Sequence, residues 1–364
     1  MKLLVLGGTV FLGRHVVESA LERGHSVTLF NRGTRPDVSF AAGPSDSGEV
    51  PGRARTDYEA PEILKGDRYT DLTALAGRSW DAVVDTCGFI PSAVRASAEL
   101  LADAVAHYTF ISSGSVYAPV DAPGYDETSA VGTIDDDALA QVEARVRAQG
   151  ASAATLGEAY GPLKALCERA AEAAMPGRVL QVRAGLIVGP FDKSDRFTYW
   201  VRRLARAGDV LAPEPPEQPV QIVDVRDLAS WIVRMAEGRR AGVFNATGPE
   251  QPAPLGAVLE ETSRALGTSP RLVWAGESFL LENGVAPWMG LPLWLPQQDP
   301  EDRYMQTMGC AKARDAGLTF RPLADTVRAT RQWDVSRGEP ALGAGLDAEK
   351  ERSLLDAWQA RPPT

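Results

Sequence analysis

The sequence predicts an α/β protein organised around a doubly wound parallel sheet. An apolar run at residues 2–6 leads into a glycine-rich turn at residues 7–13 and then into an amphipathic helix, which is the pattern of a buried strand that feeds a helix. Further short apolar runs, at residues 26–30, 80–85 and 107–111, alternate with helical stretches. A chain of 364 residues is long enough to bury a large core in one domain or two coupled domains.

The opening strand, helix and second strand form the first predicted unit. Apolar side chains recur at helical spacing over residues 14–23, and Gly24 ends the helix. The second strand follows at residues 26–30. The N-terminus of such a helix offers free N–H groups and the positive end of its dipole to a pyrophosphate. This unit is typical of a Rossmann-type dinucleotide-binding domain.

The glycine turn carries part of a dinucleotide-binding fingerprint. The fingerprint needs glycine where the chain turns tightly, where the backbone approaches phosphate, and where the helix packs on the strand. Gly7 or Gly8 meets the first need and Gly13 the last, while Val10 occupies the middle position. The turn therefore predicts a dinucleotide site, and a glycine turn without a cofactor is the alternative.

The end of the second strand bears on the choice of cofactor. Enzymes that use NAD place a carboxylate near this point for the ribose 2′-OH, whereas a 2′-phosphate favours arginine. The sequence offers Arg32 and Arg35 after Asn31, and no acid before Asp37. We therefore favour NADP, with NAD as the alternative cofactor, and a solvated loop is the other interpretation of the two arginines. Residues 36–60, rich in Gly, Pro, Ser and Ala, predict a flexible insertion.

Charge and cysteine content exclude several classes of function. The net charge of −10 and the pI near 5.0 argue against a partner that is a nucleic acid or an anionic membrane, since either needs a basic face. No apolar run reaches transmembrane length, and the first residues lack the pattern of a signal peptide. The three widely spaced cysteines predict neither a disulfide framework nor a metal site. We expect a cytoplasmic protein that acts on a small-molecule substrate.

Hydroxyl and thiol groups gather at the predicted carboxyl ends of the later strands. Thr86 and Cys87 would lie along the same sheet edge as the glycine turn. Cys87 is also explained as a small core residue. Ser92 is placed to cap the next helix, and the strand after that helix ends in Ser112, Ser113 and Ser115.

A tyrosine and a lysine lie four residues apart at the start of a long helical run. Tyr160 and Lys164 would therefore stack on one face of that helix. Pro162 between them is tolerated only if the helix begins close by, because proline fits the first turn. With eight tyrosines and six lysines in the chain, chance gives only about 0.13 such pairs. The pair is therefore informative.

Six segments together resemble the short-chain dehydrogenase/reductase superfamily, in its extended or atypical branch, the NAD-dependent epimerase/dehydratase family. Residues 6–13 are similar to the glycine turn of atypical members that lack the middle glycine. Residues 112–117 are similar to the serine strand before the active site, and residues 160–164 match Tyr-x-x-x-Lys. The resemblance covers residues 1–335 and implies a Rossmann-type fold and an enzyme that uses NAD(P). The segments are residues 6–13, 112–117, 160–164, 182–190, 220–228 and 242–247.

The resemblance implies a role for each matched residue. Tyr160 would be the general acid/base at the substrate oxygen. Lys164 would hold the nicotinamide ribose and favour the phenolate by its charge, and Ser113 would hydrogen-bond the reacting carbonyl. Asp67 and Arg68 match positions that contact the adenine. The implied cofactor-binding residues are Gly7, Gly8, Thr9, Phe11, Leu12, Gly13, Asn31, Arg32, Arg35, Asp67, Arg68, Thr86, Cys87, Lys164 and Ile187.

Two departures from the family pattern narrow the function. Gly114 and Ser115 stand where sugar dehydratases of this branch carry Asp-Glu, so a dehydratase is not expected. Val220 stands where nucleotide-sugar enzymes carry an arginine that grips the pyrophosphate. The leading hypothesis is an NADPH-dependent carbonyl reductase or alcohol dehydrogenase. A sugar epimerase that retains its NAD is the first alternative, and a non-catalytic dinucleotide sensor or RNA-binding protein of the same fold is the second.

The chain divides into three predicted parts. Residues 1–185 form the dinucleotide-binding core. Residues 186–335 form a smaller C-terminal substrate-binding region, from which residues 220–248 return to the core. Residues 336–364 form a helical tail.

Within the second part, the segment between residues 189 and 224 is expected to shape the substrate pocket. Tyr199 and Trp200 would serve either that pocket or the core of a helix. Residues 276–304, with tryptophans and several prolines, predict a lid or cap segment. The helix of the tail could pack on the body or on a second subunit, so the sequence does not decide whether the protein forms a homodimer.

Overall fold

The computed structural model describes residues 1–34, 40, 59–300 and 302–361. Of the predicted insertion at residues 36–60, only Phe40, Glu59 and Ala60 belong to this described part, and the candidate residue Arg35 lies outside it.

The described chain alternates strands and helices through most of its length. The strands are β1 (Lys2–Leu6), β2 (Ser26–Asn31), β3 (Glu62–Lys65), β4 (Ala82–Asp85), β5 (His107–Ser113), β6 (Val179–Ala184), β7 (Leu186–Val188), β8 (Asp209–Pro213), β9 (Pro219–Val220), β10 (Ile222–Asp224), β11 (Gly242–Ala246), β12 (Ala253–Pro254) and β13 (Arg271–Ala275). The helices are α1 (Phe11–Glu22), α2 (Pro91–Leu101), α3 (Asp136–Gln149), α4 (Ala153–Leu156), α5 (Tyr160–Ala174), α6 (Arg196–Leu204), α7 (Val225–Glu237), α8 (Leu255–Leu266), α9 (Glu277–Glu282), α10 (Ala311–Asp315), α11 (Leu323–Ser336) and α12 (Ala348–Gln359).

The central sheet has the predicted doubly wound order. In the described residues it contains seven parallel strands in the order β3, β2, β1, β4, β5, β6, β11. The chain moves outward from β1 to β3 and then crosses to β4 on the other side. The carboxyl ends of β1 and β4 therefore flank the switch point, where ligands of such sheets bind. The predicted fold class is confirmed.

Side chains of β1 alternate between two helical layers. Leu3 and Val5 enter a cluster with α1 and α7, whereas Leu4 and Leu6 enter a cluster with α2 and α5. This alternation follows from the two-residue period of a strand. All four leucine and valine side chains are fully buried, because a parallel sheet is covered on both faces.

A second cluster forms the core of the C-terminal region. Trp200 on α6 and Trp294 are both fully buried there, with Tyr199 beside them. Tyr199 and Trp200 are therefore core residues, which decides between the two predicted roles. Within the predicted lid or cap segment at residues 276–304, Phe279, Leu280 and Trp294 pack into this cluster. These contacts favour a cap, because a lid that opened here would expose apolar surface.

The helix of the tail packs on the same region. The Glu351 carboxylate on α12 accepts hydrogen bonds from the Leu211 amide at 3.1 Å and from Arg203 at 2.6 Å. The Trp358 ring lies 4.9 Å from the Phe279 ring. Of the two predicted positions for the tail, the structure shows packing on the body.

Two smaller observations complete the fold. Ser92 does not cap α2 as predicted; the helix begins one residue earlier at Pro91, and the Ser92 hydroxyl donates instead to Glu143 at 2.7 Å. None of the helices in the described ranges combines the length and the apolar character that crossing a membrane would require.

Burial of His107 predicts a loss of stability in mild acid. His107 begins β5, is 1% exposed, and its Nε2 lies 3.0 Å from the Thr109 hydroxyl. Burial, together with the charge of Arg239, lowers its pKa to about 4. The unfolded chain takes up a proton on this histidine at a higher pH than the folded chain does. The free energy of unfolding is therefore unaffected by His107 above about pH 6.5, and it falls as the pH drops toward 4, by up to about 1.4 kcal/mol per pH unit.

We therefore expect a His107→Gln variant to show a flatter dependence of unfolding free energy on pH between 6.5 and 4, measured by urea denaturation. His25→Gln is the control, because His25 lies at the surface against Glu237 at 2.7 Å. Equal slopes for the wild type and His107→Gln would contradict the prediction.

Candidate active site

The carboxyl edge of the sheet brings together the residues that the sequence singled out. The glycine turn follows β1, Thr86 and Cys87 follow β4, and Ser113 is the last residue of β5. Helix α5, which begins at Tyr160, packs against α2 and against the 3₁₀ turn Gly114–Val116. One edge therefore carries both the predicted cofactor turn and the predicted catalytic residues.

The glycine turn forms a cradle that side chains would fill. Gly7 and Gly8 have φ angles of +100° and +84°, and a Cβ on them would lie 2.5 Å from the Thr86 Oγ1 and 2.6 Å from Leu29. The first turn of α1 has no side-chain cap and no acidic residue. Its free N–H groups and the helix dipole attract an anion. The cradle therefore fits the pyrophosphate of a dinucleotide.

Thr86 and Cys87 border this cradle. The Thr86 hydroxyl donates to the Leu6 carbonyl at 2.9 Å. Burial raises the pKa of the Cys87 thiol, so the thiol stays protonated at neutral pH and is a poor nucleophile. This agrees with Cys87 as a wall residue and not a catalytic one.

The remaining predicted cofactor residues lie at separate points of the same edge. Arg32 is exposed at the end of β2, where the Asn31 side chain accepts the Gly33 amide at 2.8 Å. The Asp67 carboxylate accepts the Tyr69 amide at 2.9 Å. Thr9, Phe11 and Ile187 are half-buried, and Leu12 and Gly13 are buried. Their contacts with a cofactor stay predictions.

The Arg68 side chain is held inside the protein, and the predicted contact of this position with the adenine stays a prediction. Arg68 is buried, and its guanidinium donates to the Asp85 carboxylate at 2.6 and 2.9 Å and to Ser97 at 3.1 Å. Asp85 is itself fully buried and also accepts the Tyr108 hydroxyl at 2.8 Å. Arg68 thus neutralises a carboxylate beneath the sheet edge through its two terminal nitrogens, while its buried Nε has no hydrogen-bond partner among the described residues.

Helix α5 begins at Tyr160, so Pro162 lies in its first turn as predicted. Lys164 follows one turn later and is 3% exposed. Its ammonium donates to the carbonyls of Gly88 at 2.8 Å and Ile111 at 2.6 Å. Two of the three N–H groups of the ammonium thus connect α5 to the ends of β4 and β5, and the third is left for another acceptor.

A close backbone contact, which the sequence did not reveal, places Tyr160 beside the serine turn. A Cβ on Gly161 would lie 1.9 Å from the Ser115 carbonyl oxygen, so only glycine lets α5 approach the turn this closely. The Ser113 hydroxyl accepts the Ser115 amide and donates to the Ser115 hydroxyl, both at 3.1 Å. Ser112, in contrast, is buried in the sheet.

Gly161→Ala tests this contact. We expect the added methyl group to push α5 off the turn, because a backbone carbonyl cannot move aside as a side chain can, with a loss of about 1–3 kcal/mol in unfolding free energy. Gly238→Ala is the control, since its φ of −81° suits alanine and nothing lies closer than 3.5 Å to a Cβ there. A Gly161→Ala variant no less stable than Gly238→Ala would contradict the geometry.

The wall opposite the serine turn is apolar. The Met308 thioether lies 3.4 Å from the position of a Cβ on Gly114, where dehydratases carry their carboxylate. The Gln221 side chain holds Met308 in place, accepting its amide at 2.8 Å and donating to its carbonyl at 2.9 Å. The observed site therefore offers no second acid at this point.

The C-terminal region contains an arginine in the aromatic stretch after residue 189 for which the sequence indicated no role. Arg196 begins α6, and its guanidinium lies 4.8 Å from the centre of the Trp288 ring. The signal in the sequence was an arginine inside an aromatic stretch, but its neighbour Trp288 is far along the chain.

The strand order defines the fold class: the chain has a Rossmann-type α/β fold, as the resemblance predicted, and shares it with solved epimerase structures. No family model matches the chain. It is 24% identical, over 254 residues that make up 68% of its length, to the chloroplast stem-loop binding protein of 41 kDa b of Arabidopsis thaliana. The match covers 58% of that relative.

Solved structures superpose over nearly the whole chain. A UDP-glucuronic acid 4-epimerase from Bacillus cereus, in complex with NAD, has a TM-score of 0.61 at 13% identity, and covers 94% of this chain and 100% of its own. The human epimerase family protein SDR39U1, with NADPH, has a TM-score of 0.57 at 18% identity, and covers 91% of this chain and 99% of its own. At sequence identities this low, the structural similarity establishes the fold alone.

Proposed function

We propose that the protein is an NAD(P)-dependent enzyme of the short-chain dehydrogenase/reductase type that oxidises or reduces a carbinol or carbonyl carbon, with Tyr160 as the general acid/base. The observation that carries the proposal is the contact of Gly161 with the Ser115 carbonyl. This contact brings the start of α5, which carries Tyr160 and Lys164, against the turn that follows Ser113, and so supports a shared site at the edge with the glycine cradle.

Each residue has a separate task in this chemistry. A bound nicotinamide dinucleotide supplies the hydride acceptor or donor. The Tyr160 phenol gives a proton to the substrate oxygen, or takes one from it. The Ser113 hydroxyl donates a hydrogen bond to the same oxygen as negative charge develops. The remaining donor of Lys164 would hold a ribose hydroxyl of the dinucleotide.

Two net reactions are compatible with these tasks. Arg32, exposed at the end of β2, and the absence of an arginine at Val220 support an NADPH-dependent reductase. The structural neighbours are named epimerases and were solved with NAD or NADPH, so the comparisons give more support to an epimerase that retains its cofactor. In an epimerase the same carbon is oxidised and then reduced.

The dinucleotide that purifies with the protein separates these reactions. If the protein is an epimerase, mass spectrometry of denatured, freshly purified protein should identify tightly held NAD. If it is a reductase, it should purify without a bound dinucleotide and bind added NADPH reversibly, as measured by fluorescence titration. Failure to bind NAD, NADH, NADP and NADPH would contradict the proposal as a whole.

A function of another class has one observation in its favour. The Arabidopsis relative is named as a stem-loop binding protein, which supports RNA binding on this fold as the second candidate. The net charge of −10 opposes it, since RNA binding gains its affinity from basic groups. Titration with a stem-loop RNA at two salt concentrations, beside titration with NADPH, distinguishes the two candidates.

A further inference from the structure

A buried amide connects the serine turn (residues 113–116) to the apolar wall opposite it. Asn245 lies on β11 and is fully buried. Its Oδ1 accepts the Tyr117 hydroxyl at 2.6 Å, and its Nδ2 donates to the Gly309 carbonyl at 3.0 Å. Because a carbonyl only accepts hydrogen bonds, the Gly309 contact fixes which way the amide points, and the Tyr117 hydroxyl is the donor at its other end.

Tyr117 is the end of this connection at the serine turn. It follows the 3₁₀ turn Gly114–Val116 directly, and its amide donates to the Gly114 carbonyl at 3.4 Å. Burial raises the pKa of Tyr117, so the hydroxyl keeps its proton at neutral pH and stays a donor. The hydrogen bond to Asn245 therefore holds the residue at which the serine turn ends.

Gly309 is the end of the connection at the apolar wall. It directly follows Met308, whose methyl carbon lies 3.4 Å from the position of a Cβ on Gly114. The Gly309 amide donates to the Tyr125 carbonyl at 2.8 Å, so both backbone polar groups of Gly309 are bound. A displacement of Gly309 would therefore move the Met308 side chain relative to the serine turn.

A buried ion pair connects the same network to α5. Arg183 on β6 lies beside Asn245 in the register of the two strands. Its guanidinium donates to the Glu168 carboxylate at 2.8 and 3.0 Å, and it lies 4.8 Å from the centre of the Tyr117 ring. Glu168 lies one helical turn after Lys164 on α5. The Tyr117 ring is thus supported by Arg183 and its hydroxyl by Asn245, and both supports belong to the central sheet.

The chemistry of Asn245 argues for a task other than filling the core. Its neighbours on β11, Phe244 and Ala246, are buried apolar residues. Burying an amide costs free energy unless its polar atoms find partners, and an apolar side chain would avoid this cost. That side chain would leave the Tyr117 hydroxyl and the Gly309 carbonyl without their observed partner. The amide therefore suits a position that joins these two groups.

We propose that Asn245 is a positioning residue of the candidate active site, which acts through Tyr117 and Gly309 to fix the gap between the serine turn and Met308. This inference rests on the proposed function, since it concerns the turn that carries Ser113. The Ser113 hydroxyl assists the reaction only when the substrate oxygen lies within hydrogen-bond reach. The width of the gap therefore affects turnover more than dinucleotide binding.

Methyl NMR of the methionines reports on this gap, because the chain has six methionines and the Met308 methyl group lies at the contact itself. The Met308→Leu variant assigns the signal. Tyr117→Phe removes one hydroxyl and keeps the ring, whereas Asn245→Asp removes the donor to the Gly309 carbonyl. We expect each variant to shift the Met308 signal. An unchanged Met308 signal in folded Tyr117→Phe protein overturns the inference, also if Asn245→Asp fails to fold.

Tyr125→Phe is the matched control, because the Tyr125 hydroxyl donates at 2.8 Å to the Met305 carbonyl in the same segment. Met305 is 47% exposed. We expect Tyr125→Phe to shift the Met305 signal and to leave the Met308 signal in place. Equal shifts of the Met308 signal in Tyr117→Phe and Tyr125→Phe would show a general loosening of the segment and would overturn the role of Asn245.

Turnover is the second readout. We expect Tyr117→Phe to lower kcat by about 10- to 100-fold, with NADPH affinity within about threefold of wild type. The value of kcat is expressed per NADPH-binding site, so that unfolded protein does not count. An unchanged kcat overturns the positioning role. A Tyr160→Phe variant with full turnover would instead contradict the proposed function, and the Met308 signal tests the Asn245 contacts without any turnover.

Discussion

Tyr160→Phe is expected to lower turnover by about 10²- to 10⁴-fold, the usual contribution of a positioned acid/base, and to leave dinucleotide binding unchanged. The phenol is the proton donor at the start of α5, and phenylalanine keeps its shape but carries no proton to give. The glycine cradle lies on a different strand end, so cofactor affinity should not change. Turnover is followed by NADPH absorbance on a panel of aldehydes and ketones, and by product analysis on UDP-sugars.

Tyr69→Phe is the matched control for that experiment. Tyr69 lies in the same small apolar cluster as Tyr160, and burial raises its pKa to about 12, so its hydroxyl exchanges no proton at neutral pH. We expect the Tyr69→Phe protein to keep its turnover within about threefold of wild type, which is below 1 kcal/mol in activation free energy. Equal activities of Tyr160→Phe and wild type would show that Tyr160 takes no part in the reaction.

Asp85→Ala is expected to give the largest loss of stability, about 3–5 kcal/mol, because it leaves the Arg68 guanidinium buried without its counter-charge. Burial would raise the pKa of Asp85, but Arg68, the Tyr108 hydroxyl and the Cys87 amide hold it below the ordinary value. The carboxylate is therefore charged at neutral pH. The contribution of the charged Asp85 to the free energy of unfolding is complete above about pH 4. It is lost as the pH falls through the lowered pKa of Asp85.

Urea denaturation at pH 7 measures this loss, with Arg271→Ala as the control. Arg271 pairs with Asp209 at the surface, where the two side chains are 67% and 31% exposed, and solvent screens such a pair so that it contributes little to stability. If Asp85→Ala were no more destabilising than Arg271→Ala, the buried pair would not support the sheet edge. Repeating the comparison at lower pH should leave the difference unchanged down to about pH 4.

Much of the cofactor half could be predicted because its signals are local. The glycines of the first turn, the apolar strands and the Tyr160–Lys164 spacing each depend on residues that are neighbours in sequence. The ion pair of Arg68 was not predicted, for the opposite reason. Its carboxylate partner Asp85 is 17 residues away in sequence, and only the packing of β4 brings the two side chains together.

The sequence by itself determined the fold class and the sheet edge that carries the site, since these follow from periodicity and short spacings. The three residues proposed for catalysis came from the sequence through its resemblance to a known family. Only the tertiary structure decided that Gly161 touches the Ser115 carbonyl, that Tyr199 and Trp200 are core residues, and that Arg196 lies over Trp288. These contacts join residues far apart in the chain, and their energies depend on burial and on partners that no local pattern specifies.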